Sequence, residues 1–126
     1  MNETKTIEEM NAAVVEAEGA AELAQESLLR KCAALALSAR GLEEHDRMHV
    51  RTRDSNEARR WEKMRDGIKI SIRMTRRAIT RASLAWYEAR RAARDATDAR
   101  DEAANEAASL VASAAEADPK QSAPAA

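Results

Sequence analysis

Apolar residues recur along this chain in steps of three and four. From residue 68 to 94 the row Ile68, Ile72, Thr75, Ile79, Ala82, Trp86, Ala89 and Ala93 keeps one face of a 3.6-residue helix toward a partner. Trp61 and Met64 extend that row upstream, so Trp61, Met64, Ile68, Ile72, Ile79 and Trp86 are the expected packing seam. Near the start, Ile7, Met10, Val14, Ala17, Ala21, Ala24 and Leu28 follow a heptad rhythm. Lys31 then falls on a core position, and the apolar stripe is expected to drift to Cys32, Leu35, Ala36 and Ala39.

Local signals bound these segments. Thr6 and Glu9 have capping-box spacing, and Gly41 is placed to end the first helix, with Arg40 in its last turn. Residues 42–54 carry no clear period, and Asp54 with Glu57 three residues on is a second N-cap signal. Helical periodicity then runs to Ala117, with no proline before Pro119. The pattern predicts an all-α, coiled-coil-like antiparallel helical hairpin. Helix one spans about 6–40, a connector 41–54, and a much longer helix two about 55–117. Residues 1–118 read as one helical domain and 119–126 as a disordered tail. The alternative is a three-helix bundle with a break near 95–98, although no Gly or Pro marks one.

Ile68, Ile70, Ile72 and Met74 alternate, as a strand would. Both flanks are helical and no partner strand exists, so the helix is preferred. On it Ile70 and Met74, joined by Leu84, form a second patch off the seam, either plainly exposed or in contact with a third helix or another subunit.

Composition weakens any picture of a large core. Charged residues make up 34% and aromatic residues 2%, with no Phe. The apolar content is mostly Ala, and burial stabilises by roughly 25 cal/mol per Å², so an alanine seam contributes little per turn. The second helix overhangs a hairpin of these lengths from about Asp95. That end, with Leu110 and Val111, is expected to pair with another chain, giving a homo-oligomer, a dimer in the simplest case.

Charge is segregated beneath a net of −1. Residues 1–46 hold four basic and ten acidic side chains, 47–94 fifteen and five, and 95–126 two and seven. Lys69, Arg73, Arg77 and Arg81 stand at successive i, i+4 steps, each costing roughly 0.2–0.5 kcal/mol of like-charge repulsion. With Arg76, Arg91 and Arg94 they form a basic face turned from the seam, suited to an anionic partner. Three fates compete for it: solvation, neutralisation by Asp95, Asp98, Asp101, Glu102 and Glu106 of an antiparallel partner chain, or a polyanion such as DNA, RNA or an anionic membrane surface.

Candidate chemistry is sparse. His45 and His49, at i, i+4, are the one metal candidate, but two histidines do not make a site and a solvent-exposed pair in a polar connector is expected. Cys32, the single cysteine, is expected to be buried near the seam. Its solitude implies no internal disulfide and a reducing compartment, the cytoplasm. The acidic, polar start MNETKTIEEM does not read as a secretory signal, and no run is long and apolar enough to span a bilayer. Trp61 and Trp86 read as core anchors, and Tyr87 turns toward the basic face. No phosphate-cradling glycine loop, paired-cysteine pattern or nucleophile elbow is present. The expectation is a non-enzymatic assembly or adaptor protein without cofactor, acting through helix–helix contacts with its own copies or a protein partner. The alternative is a nucleic-acid-associated protein that binds phosphates through the basic face.

Overall fold

Thr6 starts the first helix. Its Oγ1 accepts the Glu9 N–H at 3.2 Å, which satisfies one of the orphan donors of the first turn, and its carbonyl accepts the Met10 N–H at 3.0 Å as the first helical hydrogen bond. Glu8 and Glu9 add favourable negative charge at that end. A computed structural model describes residues 5–48 and 55–117, the last of these for its backbone only. It contains two α-helices, α1 (Ile7–Met48) and α2 (Ser55–Ala117), packed against each other as an antiparallel hairpin with no strand among the described residues. The alternating isoleucines at 68–74 are helical, and α2 passes through 95–98 without a break. Thr75, Thr80 and Thr97 donate their hydroxyl protons to the carbonyls of Ser71, Arg76 and Ala93, at 2.8, 3.1 and 2.9 Å, so each hydroxyl finds its partner within the helix.

The first helix runs further than expected. Gly41 does not terminate it, because no glycine has a positive φ and α1 continues to Met48. The segment read as a connector therefore supplies another two turns, ending with His45 and Arg47 near the negative end of the helix dipole. The Asp54 cap, His49 and the 119–126 tail lie outside the described residues.

The helices form two compact units. One joins Met1–Ala20 to Ala89–Ala126, and the other is Ala21–Glu88. In the second unit the covered residues of α1 include Ala21, Ala24, Leu28, Lys31, Leu35, Ser38, Leu42 and His45. Those of α2 include Trp61, Arg65, Ile68, Ile72, Thr75, Ile79, Ala82 and Trp86. Both sets hold an unbroken three–four rhythm, the seam of a two-helix coil. The expected drift after Leu28 does not occur. Lys31 remains in the seam and donates to Ser27 Oγ at 2.6 Å, which lets its apolar stem line the interface. Cys32 is consequently exposed rather than buried. Met64 is likewise 58% exposed, because Arg65 takes the seam position that its spacing from Trp61 and Ile68 dictates.

In the first unit Met10, Ala13, Val14 and Ala17 are covered on α1, and Ala93, Ala96, Thr97, Arg100, Ala103 and Ala107 are at least partly covered on α2. Cover on α2 thus extends beyond Asp95, where the overhang was expected to begin, because α1 is longer than its sequence signals implied. From residue 108 to 116 every side chain is exposed, Leu110 and Val111 by 67% and 71%. Deep burial is scarce throughout: among the described residues Val14, Ala82 and His45 are the buried ones, at 3%, 8% and 7% exposure.

Candidate interaction surface

Two places concentrate charge and large side chains. The first is where α1 ends. His45 occupies a seam position, not a solvent-exposed connector, and its ring lies 4.8 Å from the Trp61 ring at a tilt of 59°. Beside it, Arg65 Nε donates to Asp46 Oδ1 at 2.9 Å and Arg65 Nη2 to Oδ2 at 3.5 Å. Asp46 Oδ1 is also 3.6 Å from His45 Nδ1. The hydrogen bond from Arg65 holds the Asp46 carboxyl below the usual carboxylate range, and the same bond raises the Arg65 guanidinium. These residues, with Glu62, line a cavity of about 240 Å³. The cluster ties α1 to α2 across the seam. No group of three or more His, Cys, Asp or Glu able to hold a metal occurs among the described residues.

The second is the surface of α2. Lys69, Arg73, Arg76, Arg77 and Arg81 are exposed in the unit Ala21–Glu88, and Arg91 and Arg94 are exposed in the other. None of the seven has an ion pair among the described residues. They divide by side. Lys69 and Arg76 flank the seam, where with Leu42, Ile72 and Arg73 they line an open cavity of about 280 Å³. Arg81 lines a second open cleft with Ser27 and Lys31 of α1, while Arg77 stands on the side of α2 farthest from α1. Ile70, Met74, Leu84 and Tyr87 share that side, exposed by 53–65%. Tyr87 meets the Trp86 ring edge-on at 5.6 Å, so the pair links seam to surface. In the other unit Arg91 and Arg94 share exposed α2 surface with Asp95, Asp98, Asp101 and Glu102.

One apolar row was not anticipated. Val15, Leu23, Leu29 and Leu37 are 60–69% exposed on the side of α1 turned from its seam. Their spacings of eight, six and eight place them within one arc of the helix, a signal visible only once the seam phase is known. No helix among the described residues is long and apolar enough to cross a membrane. Comparison with protein-family models, curated proteins and solved structures gave no match.

Proposed function

We propose that this is a non-enzymatic assembly or adaptor protein that works through helix–helix contacts, with further copies of itself as the first partner and the cytoplasm as its place of action. One observation carries this reading. Among the described residues burial is confined to a narrow seam, while thirteen large apolar side chains stay exposed, among them Leu23, Leu29, Leu37, Ile70, Met74 and Leu84. Apolar area left in water on both helices is surface that another helix can cover, gaining roughly 25 cal/mol for each Å² removed. Basic and acidic stretches then select the partner, since electrostatic complementarity contributes more to specificity than to affinity. Sedimentation equilibrium of the full chain over a range of concentrations tests the proposal. A mass above 13.9 kDa that rises with concentration is expected, and a single species at that mass at all concentrations refutes self-assembly.

The five cations at 69–81 favour a second reading, in which DNA or RNA phosphates meet Lys69, Arg73, Arg76, Arg77 and Arg81. That reading requires affinity to fall steeply with salt, because each neutralised phosphate releases a counterion. No binding to duplex DNA or single-stranded RNA at low salt removes it.

A further inference from the structure

We infer that copies of this chain join head to tail, the outward face of α1 on one copy seating on the outward face of α2 on the next. This deepens the assembly proposal and rests on it. The argument uses the unit Ala21–Glu88 alone. There the α1 side turned from the seam presents Leu23, Leu29 and Leu37 at 67%, 60% and 66% exposure, around Ala33. The α2 side turned from the seam presents Ile70, Met74, Leu84 and Tyr87 at 53%, 64%, 60% and 65%. Each is an apolar row with no cover within the unit.

The charges beside the two rows are of opposite tendency. Arg77 stands within the α2 row, with Arg73 and Arg81 at its borders, and none of the three has a carboxylate partner among the described residues. Glu22, Glu26, Glu43 and Glu44 interleave with the α1 row. Arg30, Arg40 and Arg47 share that row; Arg30 and Glu26 pair with each other at 3.7 Å, and Arg40 and Arg47 lie beyond Leu37 together with Glu43 and Glu44. The central stretch around Leu23 and Leu29 is therefore net negative, with the Glu22 carboxylate left to meet an α2 guanidinium group. Pairing of two α2 faces is disfavoured, because it would bring Arg77 and its neighbours of both copies together, and pairing of two α1 faces would leave the α2 row in water. An anionic surface or nucleic acid would satisfy the arginines and leave the α1 leucines in water, whereas a second copy accounts for both rows at once.

The two faces lie on opposite sides of the seam, so one neighbour cannot cover both. Such a heterologous contact repeats, giving a ring when the rotation closes and an open array when it does not. The assembly passes beyond a dimer in either case.

The test uses the full chain blocked on one face at a time. One variant carries Leu29→Asp with Leu37→Asp, and the other Met74→Asp with Leu84→Asp. Circular dichroism checks that each keeps its helix content, and Gln replaces Asp at the same positions should either lose it. Sedimentation velocity is expected to show wild type larger than a dimer, each variant alone monomeric, and an equimolar mixture forming a one-to-one dimer capped at both ends. If wild type assembles but either variant alone keeps the wild-type mass, or if the mixture stays monomeric, the pairing of faces is wrong while self-assembly stands. If wild type is monomeric throughout, both fall. A wild-type monomer that binds phosphatidylglycerol vesicles or duplex DNA, and loses that binding with Arg77→Glu, overturns the pairing in favour of a polyanion.

Discussion

Arg65 grips Asp46 from the opposite helix, with Nε 2.9 Å from Oδ1. The contact joins the last turns of α1 to the second and third turns of α2, beside the buried His45 and the Trp61 ring. Because the guanidinium stabilises the carboxylate, Asp46 binds its proton more weakly in the folded chain than in the unfolded one. The stability gained is present above the ordinary aspartate value of about 3.9 and is lost as the pH falls through the lowered folded value. A carboxyl-detected NMR titration should place Asp46 below that ordinary value in wild type. Arg65→Gln should return it upward and should remove this part of the acid sensitivity.

Gly41→Ala is expected to stabilise the hairpin by about 1 kcal/mol. A glycine inside a helix is costly relative to alanine, and nothing lies within 4 Å of the Cβ it would gain. The opposite sign would follow if Gly41 were a left-handed cap, since alanine is strained there. Urea unfolding of the two chains at equal concentration decides between these backbones.

Ala82 is 8% exposed, at the seam position between Ile79 and Trp86. Enlarging it should force the helices apart, so Ala82→Leu is expected to cost about 1–3 kcal/mol. Removing Val14, the most buried side chain, should cost about 2 kcal/mol as Val14→Ala, from lost transfer energy plus the space left behind. Thermal unfolding followed at 222 nm reads both changes.

Arg77→Glu should act in opposite directions on helix and assembly. It replaces two like-charge i, i+4 steps, with Arg73 and Arg81, by two favourable ones, worth about 1 kcal/mol to the helix. The same change reverses a charge that the proposed partner face must meet. Helix stability in dilute solution should rise while the association seen by sedimentation weakens. A loss of both would mean that Arg77 supports the hairpin itself.

Cys32 is exposed on α1. A maleimide should label it in the native protein at a rate close to that in urea. Labelling that waits for unfolding would return Cys32 to the seam and displace Lys31 from it.

Much of the fold was legible from the order of residues. Two helices, the Thr6 start and the seam residues Ile68, Ile72, Ile79 and Trp86 follow from periodicity and capping, which are local properties of a chain. So does the basic row on α2, because residues three and four apart share a face in any helix. The register was not local. Ser38, Arg65 and Arg100 occupy seam positions that no apolar count would assign them, and Lys31 keeps the core position from which the apolar stripe was expected to drift. Packing against a continuous neighbour keeps the heptad phase, and a long side chain can line an interface while its charged end reaches out. The same partner carries α1 through Gly41, where a weak local stop loses to seven more residues of helix. It also buries His45 against Trp61, leaves Met64 and Cys32 outside, and turns Val15, Leu23, Leu29 and Leu37 to solvent. Sequence by itself determined that helices form and which charges they carry; only the meeting of the two helices decided which side of each remained open.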